Sequence, residues 1–306
     1  MRPILAILGP TASGKSTLAL DLAERGRGEI VSCDSTAVYR GLDIGTDKVP
    51  VNQRRGRPHH LIDVADPTEH YTAARYAQEA AAVIREIQHR GGWPIIVGGT
   101  GFYYRALTRG LFPGPGRNEA LRQRLERLAD VKGVEFLHRM VRRVDARSAR
   151  RIQPRDRMRL VRALEVYFVT GRPLTEHFSS TVSPLEGLEV FAVALRPPMA
   201  EIARRVTARV EDQFARGIVD EVKALLARGL PEDAHPFGGL VYRQVLEFLH
   251  GVRDEAETRA LIVRENLRYA RRQLIWFRKE PNLRWFQGAG EQPDTRAAVE
   301  QALRLR

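Results

Sequence analysis

Residues 4–17, ILAILGPTASGKST, narrow the choice of fold more than any other stretch of this chain. An apolar run from Ile4 to Leu8 leads to Gly9 and, four residues later, to Gly14-Lys15-Ser16. A buried strand that ends in G-x-x-x-x-G-K-S and runs into a helix turns successive backbone N–H groups toward one point. The helix N-terminus adds positive potential there. Lys15 supplies a mobile cation, and the Ser16 hydroxyl suits a Mg²⁺ ion bridging phosphate oxygens. STLALDLAER (16–25) carries the required helix, with Leu18, Ala19, Leu22 and Ala23 at helical spacing. Gly9, Pro10, Thr11, Ala12, Ser13, Gly14, Lys15 and Ser16 are therefore expected to cradle a diphosphate or triphosphate.

The residues that follow keep alternating between strand and helix patterns. EIVSCD (29–34) and WPIIVGGT (93–100) read as strands, and TAARYAQEAAAVIREIQHRG (72–91) as a helix between them. This predicts an α/β fold, a P-loop core with a doubly wound parallel sheet. LFPGPGRNE (111–119) breaks the pattern, and from there to about residue 180 the chain reads as helical and basic. A strand, LEVFAVALRP (188–197), two long helices near 199–228 and 255–280, and a last strand, NLRWF (282–286), complete the core. The expected division is a core of residues 1–112 and 186–306 interrupted by a helical insertion, 113–185.

Charge sharpens that division. Residues 117–172 hold sixteen Lys and Arg against seven Asp and Glu, +9 of the chain's net +13. Such an imbalance in one segment fits a polyanion such as nucleic acid better than an ordinary solvated helix face. Hydrophobic residues make up 43% of the chain, enough for a substantial core, and no apolar run approaches a membrane span. With strand residues beginning at position 4 there is no room for a signal peptide. Cys33 is the one cysteine, which leaves neither a disulfide nor a cysteine-based zinc site. A reducing, cytoplasmic setting is the expectation.

In parallel sheets of this kind the C-terminal ends of the strands line one crevice. Asp34, Thr100 and the phosphate cradle are expected to converge there. A carboxylate so placed could hold Mg²⁺ through water or act as a general base. Asp34 could equally cap the turn that follows, in DSTAVY, and the residues alone leave both readings open.

Six stretches together carry a family resemblance: GPTASGKS, DSTAVYRGLDIGTDK (34–48), PHHLID (58–63), GGTGFYYRAL (98–107), RALEVYFVTG (162–171) and RRQLIWFRKEP (271–281). In this order they resemble the bacterial tRNA dimethylallyltransferases, and the match extends over nearly the whole chain. The resemblance implies that the cradle holds dimethylallyl diphosphate rather than a nucleotide. The dimethylallyl group would pass to the exocyclic N6 amine of an adenine beside the anticodon, in tRNAs reading codons that begin with U, releasing diphosphate. It further implies Asp34 as the general base, Thr100 at the target adenosine, and Lys15 and Arg209 on the diphosphate, with Mg²⁺ at Ser16. The implied tRNA contacts are Asp34, Ser35, Thr36, Ala37, Thr100, Arg122, Met158, Arg159, Leu160, Val161 and Arg162. The last group is Gly238, Gly239, Leu240, Val241, Tyr242 and Arg243. The implied partner is a tRNA anticodon stem-loop, with no membrane and no obligate protein partner, and a monomer is expected. One departure stands out: family members commonly have glycine where Val241 precedes Tyr242-Arg243.

Other features have plainer explanations. Adjacent His59 and His60 face apart on a strand, so a structural use outweighs a metal site. Cys33 reads as core rather than nucleophile. A small-molecule kinase would use the same cradle with ATP, and a GTPase-like switch would show an Asn-Lys-x-Asp motif, which is missing. An adenylate isopentenyltransferase would have no use for a surface of charge +9.

Overall fold

The computed structural model describes residues 2–304. Its strands are β1 (Ile4–Leu8), β2 (Gly28–Ser32), β3 (His59–His60), β4 (Trp93–Gly98), β5 (Val190–Arg196) and β6 (Leu283–Gln287). They form one parallel sheet in the order β3-β2-β4-β1-β5-β6. β1 is central because every one of its side chains is buried. It pairs Leu8 with Gly98 of β4 and with Ala194 of β5. All strands run the same way, so the segments after Leu8, Ser32, Gly98 and Gln287 emerge along one edge of the sheet.

The chain separates into two compact units, one formed by the residues up to Thr108 and from Pro184 onward, the other by Arg109–Ser183. In the first lie α1 (Lys15–Gly26), α2 (Ala73–His89) and all but the last residue of α3 (Gly101–Arg109). Alternate strand residues Leu5, Ile7, Ile95, Val97, Phe191 and Val193 point to one face, where Leu18 and Leu22 of α1 cover them. α2 packs on β2 and β4 with Tyr76, Ala80 and Ile84 inward, and Thr72 caps it by accepting the Arg75 N–H.

The second unit holds α4 (Glu119–Lys132), α5 (Val134–Val144), α6 (Ala146–Arg151), α7 (Arg157–Thr170) and the short α8 (Leu174–His177). Side-chain caps from Asn118, Asp145 and Asp156 start α4, α6 and α7. Leu125, Leu137, Val141, Leu160 and Leu164 form its core.

Returning to the first unit, the single helix expected near 199–228 is two: α9 (Met199–Ala215) and α10 (Ile218–Ala227). Gly217, at φ +87°, breaks it in a conformation only glycine adopts freely. α11 (Tyr242–Leu249), α12 (Glu255–Phe277) and α13 (Pro293–Arg304) complete the unit. Asp254 and Glu257 form a reciprocal capping box at the start of α12.

Candidate active site

The loop between β1 and α1 has the backbone that its glycines allow. Gly9 (φ +145°) passes so close to β5 that a Cβ would lie 2.9 Å from the Leu195 carbonyl oxygen. Gly14 (φ +77°) begins α1, and Ala12 also takes a left-handed conformation. Ser13 is buried and donates to the Pro10 carbonyl at 2.8 Å. Lys15 folds back over the loop, its Nζ donating to the Pro10 carbonyl and, at 3.3 Å, to Ser13 Oγ. Burial and the neighbouring Arg209 charge lower its pKa to about 7, a fall that Asp34 and Asp47 partly oppose. Ser16 is exposed at the first turn of α1.

A cavity of about 620 Å³ opens over this loop. One side is polar and carries Lys15, Ser16, Asp34, Asp47, Arg205 and Arg209; Ile30, Val49, Pro50, Ile62 and Val97 supply apolar wall. Arg209 projects from α9, donating through Nη1 to Thr11 Oγ1 at 2.7 Å and pairing through Nη2 with Asp47 at 3.0 Å. Arg205, one turn earlier, pairs with Glu201 and Glu291.

Asp34 is not the last residue of its strand, since β2 stops at Ser32. It heads the following turn, where Oδ1 accepts the Thr36 N–H (2.8 Å), the Thr36 hydroxyl (2.6 Å) and the Ala37 N–H (3.2 Å). The capping role and the place in the cavity are thus both present: one oxygen organises the turn, and the other is not tied down by it. Thr100 Oγ1 accepts the Ser35 N–H at 3.1 Å, which binds the end of β4 to the same turn. Cys33 beneath is fully buried, and burial pushes its thiol up to about 12, as a core residue requires.

Gln273, on α12, joins these pieces. Its Oε1 accepts the Thr11 N–H at 2.8 Å while its Nε2 donates to the Gly99 carbonyl at 2.9 Å. Next to it, Tyr269 lines the same cavity, and burial raises its hydroxyl to about 12, a rise that the neighbouring Thr100 and Gln273 partly oppose. Sequence reasoning missed Gln273, Tyr269, Asp47 and Arg205. A polar residue on the apolar side of RRQLIWF was the only available sign of Gln273.

Among residues 238–243, Gly238 and Arg243 are exposed, whereas Gly239 and Leu240 are half-buried. A Cβ on Gly239 would sit 3.9 Å from the Thr36 methyl, so this loop adjoins the Asp34 turn. Tyr242 is buried, and its hydroxyl donates to Glu221 at 2.7 Å. Val241 is also buried and adopts φ +73°, ψ −61°, a strained γ-turn geometry. Its departure from glycine therefore stores strain of about 1–3 kcal/mol.

The insertion divides the remaining residues. Met158 (80% exposed) and Arg159 are open to solvent. Leu160 and Val161 are core residues and present no side chain to a ligand. Arg122 and Arg162 are part-exposed, and both pair with the fully buried Glu165 carboxylate. That carboxylate accepts from Asn118 N (2.8 Å), Arg122 Nε (2.9 Å), Arg122 Nη2 (3.1 Å) and Arg162 Nη1 (2.7 Å). These partners hold it below the usual carboxylate range against the opposing effect of desolvation. The exposed positive charge of α5 and α6 comes from Arg139, Arg142, Arg143, Arg147, Arg150 and Arg151.

A parallel sheet with a phosphate-binding loop, a carboxylate in the same cavity and apolar walls beyond them defines a P-loop group-transfer enzyme. The profile of the family described as IPP transferase matches residues 37–280. The chain is 45% identical over 294 residues to a tRNA dimethylallyltransferase of Solibacter usitatus, covering 96% of this chain and 95% of the relative. Over 302 residues it is 43% identical to one from Koribacter versatilis, covering 99% of this chain and 97% of the relative. Among solved structures, the tRNA isopentenylpyrophosphate transferase of Bacillus halodurans superposes with a TM-score of 0.71 at 33% identity, covering 100% of this chain and 98% of that one. The chain belongs to the tRNA dimethylallyltransferase family.

Proposed function

We propose that this enzyme transfers the dimethylallyl group of dimethylallyl diphosphate to the N6 amine of an adenine in the anticodon stem-loop of tRNA. The adenine is the one beside the anticodon in tRNAs reading codons that begin with U, as the family resemblance implies. The observation that carries the reading is the single cavity in which the phosphate loop, a carboxylate and an apolar wall meet.

The donor's diphosphate lies on the loop amides, with Lys15 and Arg209 at its oxygens. Its five-carbon chain lies against Ile30, Val49, Pro50, Ile62 and Val97. As the bond between the allylic carbon and the diphosphate oxygen breaks, negative charge grows on the leaving group and these cations stabilise it. The adenine nitrogen forms the new bond to that carbon and gives up a proton to Asp34, whose Oδ1 stays anchored by Thr36 and Ala37.

Mg²⁺ fits the donor set. Ser16 offers an exposed hydroxyl beside the cradle, and among the described residues no cluster of three acidic, His or Cys ligands exists to form an all-protein cage. A Mg²⁺ ion held together with the donor would need no such cage. When bound, it would neutralise charge on the departing diphosphate.

A target adenine must leave its stack to enter such a cavity, at a cost of a few kcal/mol. Exposed Arg159 and the arginines of α5 and α6 supply phosphate-backbone attraction to offset it. Labelled dimethylallyl diphosphate and labelled ATP, each incubated with total tRNA, test the proposal. Label should enter RNA from the first alone. Phosphate transfer from ATP to an acceptor would instead favour a kinase.

A further inference from the structure

Asp47 lies outside every motif role considered so far. It occupies a left-handed backbone position, φ +55°, that Asp and Asn tolerate better than other side chains. Its carboxylate forms part of the cavity wall, and Oδ2 is 3.0 Å from Arg209 Nη2. Arg209 reaches the phosphate loop with its other terminal nitrogen, at Thr11 Oγ1. The guanidinium is therefore held as a fork between the cradle and an acid outside it.

The segment carrying Asp47 is itself fixed. Lys48 Nζ donates to the Tyr39 carbonyl and to the carboxylates of Asp43 and Asp63. Glu221 accepts the N–H groups of Asp43, Ile44 and Gly45. Asp47 is thus placed by a built loop, and its charge faces a site whose ligand is an anion.

We propose that Asp47 is a positioning residue for the diphosphate, aiming Arg209 at the cradle while its own negative charge limits how tightly the diphosphate product is held. The inference rests on the cradle being the donor site. A guanidinium has five N–H donors in a planar fork, so Arg209 can keep Asp47 and still present N–H groups to phosphate. Asp47 then shares its cation with the ligand and repels that ligand directly. The charged groups facing it are Arg209, Arg216, Asp212 and Asp34. Those facing Lys15 are Arg209, Asp34 and Asp47 itself.

The test is calorimetric titration of pyrophosphate, at saturating Mg²⁺ and at pH 6 and 8, into wild type, Asp47→Asn and Asp47→Gly. Asparagine keeps the acceptor for Arg209 and the backbone conformation while removing the charge. Glycine suits the positive φ if the asparagine variant does not fold. At both pH values Asp47→Asn should bind pyrophosphate on the order of tenfold more tightly, less than the full effect of removing a unit charge at this range. Asp47→Gly should bind at least as tightly as wild type. In Asp47→Asn the donor KM and kcat should fall together, because the stronger grip is felt by ground state and product alike. Unchanged or weaker pyrophosphate binding at pH 6 in the folded variant overturns the proposal, and leaves Asp47 a loop residue. A wild type that binds no pyrophosphate at either pH overturns the donor-site reading as well.

Discussion

Glu165→Gln is the substitution whose effect the structure specifies most fully. The wild-type carboxylate accepts four hydrogen bonds with none of its surface exposed. Glutamine can keep its oxygen toward Asn118 N and Arg122 Nε. Its NH₂ group then faces Arg122 Nη2 and Arg162 Nη1, donor against donor. Two charge-assisted bonds are lost, each worth about 1.5–3 kcal/mol, and two arginines lose their counter-charge. Breaking a buried ion pair from one side costs about 3–5 kcal/mol. Both arginines are part-exposed and can turn toward water, which favours the lower end, about 3 kcal/mol. At roughly 4–8 °C per kcal/mol for a unit of this size, the melting transition of Arg109–Ser183 should fall by roughly 10–25 °C. Hydrogen exchange resolved by segment would locate the loss in α4 and α7, with pyrophosphate binding preserved. The sign with pH follows from the lowered Glu165 pKa. Its contribution is present above the ordinary carboxylate range and is lost as pH falls through the folded value, so the variant should lack that part of the acid sensitivity. An insertion transition within a degree or two of wild type would refute the internal role of these arginines.

Asp34→Asn keeps an acceptor for the Thr36 and Ala37 amides, so tRNA binding should stay within a few-fold while turnover falls on the order of a hundredfold or more; near-normal turnover in a single-turnover assay would remove Asp34 from the proton transfer. Pyrophosphate binding should weaken as pH rises from 6 to 8, because Lys15, at about 7 when the cradle is empty, must take up a proton to meet the anion. Calorimetry in buffers of different ionisation enthalpy would register that uptake, and its absence would contradict the burial argument. Replacing exposed Arg159 with alanine should flatten the log–log salt dependence of tRNA affinity by about one unit with no change in melting. An unchanged slope would mean that Arg159 faces only solvent.

What could be read in advance divides by sequence distance. The phosphate loop, β1, β4 and β5 are local patterns in which apolar runs and glycines state the conformation directly. The Asp34 turn was equally local, and its two readings stayed open because the carboxylate that caps the turn also lies in the cavity wall. Arg122 and Arg162 looked like free charge because their counter-ion is a single glutamate, and its pairing with Arg122 spans 43 residues. Charge counts register sign but not partnership. Gln273 meets Thr11 across 262 residues, and no spacing rule reaches that far. The break at Gly217 was available in the sequence, but helical periodicity continues on both sides of it. Tyr242 sits in a motif implied to touch RNA, and its bond to Glu221, 21 residues away, was not legible in that motif.

The order of strands in the sheet has a consequence for synthesis on the ribosome. β1 needs both β4 and β5 beside it, yet Val190 opens β5 only after the whole of Arg109–Ser183 has been made. At roughly 5–20 residues per second, the first strand waits roughly 10–40 s for that second neighbour. The intervening unit has a core of its own, built from helices close in sequence, and contacts of that kind close quickly. It can therefore be folded while the segment before it is still an incomplete sheet with the apolar edge of β1 open. During that interval the nascent chain is most exposed to β-pairing with other chains and to chaperone capture. Ribosome-stalled chains ending just before and just after β5 should differ sharply in protease resistance of residues 4–98.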